Sequence, residues 1–293
     1  MAHAPFGRLI TAMVTPFSSD CSLDLDQARR LAAYLVDEQG NDALVINGTT
    51  GESPTTNDEE KLALLRAVKA EVGDRAKVIA GVGTNETAAT IQRCRDAEEA
   101  ECDGVLVVTP YYSKPPADAL LEHFLIVADS TQLPVMLYDI PGRSAIPIPE
   151  DTIIELARHP RIVAVKDAKG DLVSSAKVMA ATDLAYYSGD DAVTLPLMSV
   201  GGVGVVGTST HFTGAATREW MDLLADGARS DALALYRRLL PVYTGVFATQ
   251  GCMLVKAGLA ARGFGPAALR RPLKPATPVQ ARAFVQLLEA AGL

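Results

Sequence analysis

Lys166 lies inside the apolar run Ile162-Val163-Ala164-Val165-Lys166-Asp167-Ala168, with His159-Pro160 before it and Gly170 after it. A short, β-branched run of this kind reads as a strand buried on both faces. An ammonium there is costly unless it is paired or gives up its proton. A desolvated lysine can be neutral near pH 7, and a neutral amine attacks carbonyl carbons, so the chemistry that fits is Schiff-base formation. The competing reading is a lysine at the strand's end that reaches solvent or pairs with Asp167.

Further polar residues gather where other apolar runs end. Gly48-Thr49-Thr50-Gly51-Glu52-Ser53 follows Ala43–Asn47, and Thr109-Pro110-Tyr111-Tyr112 follows Gly104. Tyr138-Asp139-Ile140-Pro141-Gly142-Arg143 and Ser188-Gly189-Asp190-Asp191 close two more. The glycines around Thr49 and Thr50 either permit a tight turn or expose N–H groups to an anion, with the hydroxyls assisting. Tyr138 either packs its ring or relays protons. Tyr111 and Tyr112 read first as packing or interface aromatics. Arg143 is either a surface charge or a two-pronged clamp for a carboxylate. Asp190 and Asp191 have the chemistry of metal ligands, but they also suit the N-terminus of the next helix, and the cap is the reading adopted.

The elements that must bring these groups together recur eight times. Strands are expected at Leu9–Val14, Ala43–Asn47, Lys77–Val82, Gly104–Thr109, Pro134–Asp139, Ile162–Lys166, Leu184–Ser188 and Gly204–Gly207. Helical segments lie between them, including Asn57 to Val72 with Asn57 as N-cap and Gly73 past its end. Asn85–Glu101 and Ala117–Thr131 have similar spacing. Such alternation predicts a parallel sheet with right-handed crossovers, and eight units fit a closed (β/α)8 TIM barrel, an α/β fold. Residues 1–213 form the catalytic barrel in this reading. Residues 214–293 carry its last helix and a C-terminal helical extension, with segments around Trp220, Leu233–Leu240, Tyr243–Arg262 and Val279–Ala291. In such a barrel, chemistry sits at the C-terminal ends of the strands.

An open dinucleotide-binding sheet is the structural competitor. Gly202-Val203-Gly204-Val205-Val206-Gly207 matches the spacing of its fingerprint, but it falls within a strand, whereas the fingerprint must follow one. The 293 residues carry a net charge of −8 without a Lys/Arg cluster, which argues against nucleic acid. No apolar run approaches membrane-spanning length, and no secretory signal is visible at the N-terminus. Cys21, Cys94, Cys102 and Cys252 are scattered, which suits a reduced, cytoplasmic protein. His3, His123, His159 and His211 are isolated and read as surface or helix-end residues; no metal site is expected.

Taken jointly, Gly48-Thr49-Thr50-Gly51-Glu52, Tyr111-Tyr112, Tyr138 with Pro141 and Arg143, and Lys166 with Gly170 resemble the dihydrodipicolinate synthase and N-acetylneuraminate lyase superfamily. The resemblance runs from Leu9 to the C-terminal helices. It implies a pyruvate-handling class I aldolase, without a cofactor, in which Lys166 forms the imine. Thr49 and Arg143 favour the synthase branch, since the lyases typically have serine at the first position and generally lack the arginine. Asp139 and Asp167 depart from the common asparagine and glutamate, and neither is assigned to chemistry.

The resemblance further implies pyruvate and L-aspartate 4-semialdehyde as substrates, on the route to diaminopimelate and lysine. Tyr138, Thr49 and Tyr112 would relay protons, with Tyr112 supplied by a neighbouring subunit. Thr50 would hold the pyruvate carboxylate, Arg143 that of the semialdehyde, and Gly189 and Val206 would offer main-chain groups. A homotetramer built from dimers is expected. Lysine-sensitive members use a pocket for which Ser53, Asn85 and Tyr111 are present here. Asp58 and Lys61 stand where histidines are expected, and Ala89 where a glutamate is, so feedback by lysine should be weak or absent. Other pyruvate aldolases of the superfamily, and a non-catalytic keto-acid-binding barrel, are the alternatives.

Overall fold

The computed structural model describes residues 3–293. Eight parallel strands, β1 (Leu9–Ala12), β2 (Ala43–Ile46), β3 (Lys77–Gly81), β4 (Gly104–Val108), β5 (Val135–Asp139), β6 (Ile162–Asp167), β7 (Ala185–Ser188) and β8 (Gly204–Gly207), close in sequence order, with β8 pairing β1. All eight expected strands are present, most a residue or two shorter than read. The helices on the outer ring are α1 (Leu25–Asp37), α2 (Asp58–Val72), α3 (Thr87–Glu99), α4 (Ala117–Asp129), α5 (Pro141–Ser144), α6 (Glu150–Leu156), α7 (Leu172–Ala181), α8 (Thr194–Ser199) and α9 (Thr210–Ala225). The division at residue 213 falls inside α9.

Side chains alternate across each strand, and this parity places the site. Met136 and Tyr138 on β5, and Ala164 on β6, face the barrel interior with Ile10, Ile79 and Leu106. Leu137 and Val165 face outward and join the helices in the larger core. Lys166, two residues beyond Ala164, therefore lies on the inward face. The register sets Lys166 beside Tyr138 on one side and Tyr187 on the other. Asp139 and Asp167 are paired in the same register, one step out of phase, and face away from the interior.

α2 begins with the expected cap. The Asn57 side chain accepts from the Glu60 N–H at 2.8 Å, and Glu60 accepts from the Asn57 N–H at 3.0 Å. The extension adds α10 (Arg229–Gly245), α11 (Gly251–Ala261) and α12 (Pro278–Ala290). The expected single segment Tyr243–Arg262 is broken over residues 246–250. Gln250 starts the new helix, its side-chain oxygen accepting from the Gly251 N–H at 3.1 Å. The break turns Phe247, Gln250, Gly251 and Cys252 toward the barrel mouth.

Two cations fasten the extension to the loop after β2. Lys256 of α11 forms a buried ion pair with Glu52 and donates to the Ala268 carbonyl at 2.8 Å. Arg270 grips the Glu60 carboxylate with two nitrogens, at 2.6 and 2.7 Å, and donates to the Thr55 carbonyl at 2.8 Å. Both cations lie over the Phe17 ring, at 4.2 and 4.3 Å from its centroid. Glu52 holds a left-handed backbone with φ of 55°, so the carboxylate is aimed by strained chain as well as by its partner. Removing one member of a buried pair leaves the other charge stranded. Lys256→Met should therefore cost about 3–5 kcal/mol of stability, with most of it recovered in the Glu52→Gln/Lys256→Met double variant, as read from urea unfolding.

Candidate active site

A cavity of about 360 Å³ opens at the C-terminal mouth of the barrel. Lys166, Tyr138, Thr49, Thr50, Arg143 and Gly189 all line it. The structure thus brings together six of the eight expected site residues. Val206 does not reach the cavity and is buried in the barrel core beneath it, in the cluster that includes Tyr138. Tyr112 stands on the rim, 89% exposed, with a left-handed backbone (φ 73°), and does not reach the cavity within one chain. Its neighbour Tyr111 lines the mouth.

Lys166 is 6% exposed, and its ammonium nitrogen lies 4.3 Å from the centroid of the Tyr138 ring. Burial lowers its pKa to about 8, the Asp191 charge opposes that fall, and Arg143 adds to it. At pH 7 roughly a tenth of such lysines carry a free amine, far more than at the ordinary value. The solvent-reaching alternative is excluded by burial. The Asp167 alternative is excluded by geometry, since that carboxylate faces outward and accepts from the Ser175 hydroxyl and from the Lys169 N–H at 2.8 Å.

Burial pushes the Tyr138 phenol up to about 12, with the Arg143 charge and the Thr49 side chain acting in the other direction. The phenol therefore stays protonated at neutral pH and can donate or accept a proton in turn. Thr49 and Thr50 sit in a loop whose carbonyls are already engaged: Glu52 N–H donates to Thr49 at 3.1 Å, and the Thr15 hydroxyl to Gly51 at 2.6 Å. The N–H groups of Thr49 and Thr50 serve no backbone hydrogen bond among the described residues, which leaves them free for an anion. The Thr50 hydroxyl meets that of Thr208 at 3.5 Å. Across the cavity, the Arg143 guanidinium donates to the Gln250 side-chain oxygen at 3.0 Å.

Several features escaped the sequence reading. Gln250, Phe247 and Cys252 come from the extension, and their placement depends on a helix break that apolar periodicity does not announce. Asp191 does not cap its own short helix. Asp190 does that, accepting from the Ala192 N–H at 2.9 Å. The Asp191 carboxylate instead accepts from the N–H groups of Thr208 and Ser209, both at 3.0 Å, and from the Ser209 hydroxyl at 2.6 Å. Two histidines are interior rather than surface groups. His211 donates from Nδ1 to the Thr208 carbonyl at 2.7 Å and accepts at Nε2 from the Val14 N–H at 3.2 Å, bracing the wall behind the site. His123 is buried on α4, with Nδ1 2.9 Å from the Thr87 hydroxyl.

An inward amine desolvated at a barrel mouth, beside a protonated phenol and an anion cradle, defines a lyase that works through an imine. The chain belongs to the dihydrodipicolinate synthetase family, whose model matches residues 5–291. It is 58% identical over 289 residues to the 4-hydroxy-tetrahydrodipicolinate synthase of Cutibacterium acnes, covering 99% of each chain. Among solved structures, a dihydrodipicolinate synthase from Bacillus anthracis superposes with a TM-score of 0.94 at 39% identity, over 99% of each chain. The Acinetobacter baumannii enzyme complexed with pyruvate does so with a TM-score of 0.94 at 30% identity, again over 99% of each.

Behind the site, Asp139 is 1% exposed and faces Lys169, whose nitrogen is 3.6 Å away. Burial raises its pKa from 3.8 to about 6. Between those values the unfolded chain releases a proton that the folded chain retains, so the group's contribution to stability falls as pH rises through the window. Asp139→Asn keeps an acceptor for the Ile148 N–H, now at 3.1 Å. It should be more stable than the parent at pH 7, by up to about 3 kcal/mol, and lose the parent's decline between pH 4 and 6. Urea unfolding at several pH values would check both.

Proposed function

We propose that this site condenses pyruvate with L-aspartate 4-semialdehyde to give 4-hydroxy-tetrahydrodipicolinate, the step that commits carbon to diaminopimelate and lysine. The observation that carries the reading is the joint placement of a desolvated Lys166, the Tyr138 phenol, the free Thr49–Thr50 N–H groups and Arg143 around one cavity.

The Lys166 amine attacks the keto carbon of pyruvate, and water leaves as the imine forms. The Thr49 and Thr50 N–H groups hold the pyruvate carboxylate. The protonated imine draws electrons from the adjacent methyl, which loses a proton through Tyr138 and leaves an enamine. The enamine carbon bonds to the aldehyde carbon of the second substrate, whose carboxylate Arg143 clamps. The substrate's own amine then closes the ring on the imine carbon and displaces Lys166.

Tyr112 completes the relay from a neighbouring copy. Its 89% exposure leaves it free for such an exchange, and this is the argument for an assembly of at least two chains, taken here as a homotetramer of paired dimers. The Gly189 main chain, and more remotely that of Val206, frame the imine. Four free cysteines suit work in the reducing cytoplasm. Among the described residues, no helix is long and apolar enough to cross a membrane. A lyase for longer sugar acids is the second reading; Arg143 at the mouth favours the short, carboxylated aldehyde.

Lysine should inhibit weakly or not at all. Lys61 is buried, donates to the Thr56 carbonyl and lies 3.9 Å from Asp58, so a cation already occupies the region where an incoming ammonium would need an acid. Inhibition at sub-millimolar lysine in a rate titration would overturn this.

Borohydride with pyruvate should label Lys166 alone, as read by peptide mass mapping. Arg143→Ala should lower kcat/KM for aspartate semialdehyde by about 100-fold or more while leaving the pyruvate adduct on Lys166 in place. Labelling elsewhere, or equal loss of both steps, would count against the assignment.

A further inference from the structure

We infer that the buried Glu52–Lys256 pair is a positioning device for the first substrate: it fixes the turn whose Thr49 and Thr50 N–H groups receive the pyruvate carboxylate. The inference rests on the assignment of those N–H groups to pyruvate given above.

Glu52 is the last residue of that turn, and its own backbone closes it. The Glu52 N–H donates to the Thr49 carbonyl at 3.1 Å, and the Ser53 N–H reaches back to the Gly48 carbonyl at 3.3 Å. Gly51 is pressed against the end of β1: its carbonyl accepts from the Thr15 hydroxyl at 2.6 Å, and a Cβ there would lie 3.1 Å from the Met13 carbonyl oxygen. The Glu52 carbonyl accepts from the Thr55 N–H at 2.9 Å as the chain turns into the next segment. The position of Glu52 therefore sets the position of the two free N–H groups before it. Its φ of 55° is left-handed, and glutamate is not among the residue types that take this conformation readily. A residue held this way persists only where its surroundings over-determine it, and such residues gather at ligand clamps.

The side chain supplies that determination. Glu52 is 2% exposed, and both of its carboxylate oxygens are taken, one by the Lys256 ammonium and the other by the Arg270 N–H at 3.1 Å. Lys256 is itself buried and is held by the Ala268 carbonyl and the Phe17 ring. Neither member of the pair lines the cavity, so neither touches a substrate there. A buried ion pair is often no more stabilising than an apolar pair of the same volume, so its presence here is better explained by geometry than by stability. Charge on both sides fixes a direction as well as a volume. Released from Lys256, the turn would keep its fold but not the alignment of its N–H groups, and a carboxylate held off line puts the keto carbon off line from the Lys166 amine. Arg143 lies outside this path, because Gln250 holds it separately.

The test separates pyruvate binding from folding. Glu52→Gln/Lys256→Met keeps the volume of the pair and strands no charge. In it, the pyruvate concentration that gives half-maximal borohydride labelling of Lys166 should rise by about 10- to 100-fold, with labelling still complete at saturation. At saturating pyruvate, kcat/KM for aspartate semialdehyde should stay within about threefold of the parent. If the double variant lacks the parent's circular dichroism, Glu52→Gln alone takes its place. It leaves an acceptor for Lys256 and for the Arg270 N–H, and a smaller rise in the same direction is expected. A folded variant with an unmoved half-labelling concentration would overturn the inference, whatever its thermal stability. An equal loss for both substrates would also overturn it, since that marks a general loosening of the mouth. Failure of the parent to be labelled at all would instead overturn the imine reading, so the two failures are separable.

Discussion

The site depends on the removal of one lysine from water. A barrel wall of eight paired strands can do this because its backbone polar groups are satisfied within the wall, so only side chains enter the interior. Lys166 enters at the top layer, above a floor of apolar side chains that includes Met136 and Ala164. Every polar group near it then acts in a medium where charge interactions are strong. Without that exclusion, an amine with an ordinary pKa would be almost wholly protonated at neutral pH, and the phenol and hydroxyls around it would have no imine to serve.

Strand parity separates the working groups from the supporting ones. Lys166 and Tyr138 are register neighbours and point inward; Asp167 and Asp139 are the next register neighbours and point outward. The outward pair binds Lys169, the Ser175 hydroxyl and the N–H groups of Ile148 and Lys169, which pins the loops following β5 and β6. A one-residue slip of β6 would place the Asp167 carboxylate in the cavity and the Lys166 amine under the helices, while β5 kept Tyr138 inward. Burial raises the Asp139 pKa, Lys169 offsets part of the rise, and the neighbouring Asp167 charge adds a smaller part to it.

What could be read from sequence followed the strength of local signals. An eightfold strand–helix alternation, the Asn57 cap and a lysine in a β-branched run are short-range patterns, and each reappears in the structure. Lys166, Tyr138, Thr49, Thr50 and Arg143 were accessible because each sits at a strand end, where topology alone brings them together. The break at residues 246–250 was not, although Gly245 and Gly251 flank it, because apolar residues continue on both sides of it and the stretch was read as one segment. Asp191 was misread for a related reason. An acid at the start of a helical segment looks like a cap, and only the fold reveals that its acceptors face the turn after β8. The buried histidines carried no pattern, since the Val14 N–H that meets His211 and the Thr87 hydroxyl that meets His123 both lie far away in the chain.

The extension is continuous with the chemistry rather than an appendage to it. Gln250 caps α11 and, with the same oxygen, accepts from Arg143, so the helix start fixes where the guanidinium points. Six residues on, Lys256 reaches Glu52 at the end of the threonine loop. One helix therefore touches both sides of the cavity: the wall expected to hold the first carboxylate and the residue expected to hold the second. A shift of α11 along its axis would move Arg143 and the Thr49–Thr50 loop together. This coupling would keep the distance between the two proposed anion sites matched to a pair of small substrates whose reacting carbons must meet at bonding range, a requirement that independent loops would not satisfy.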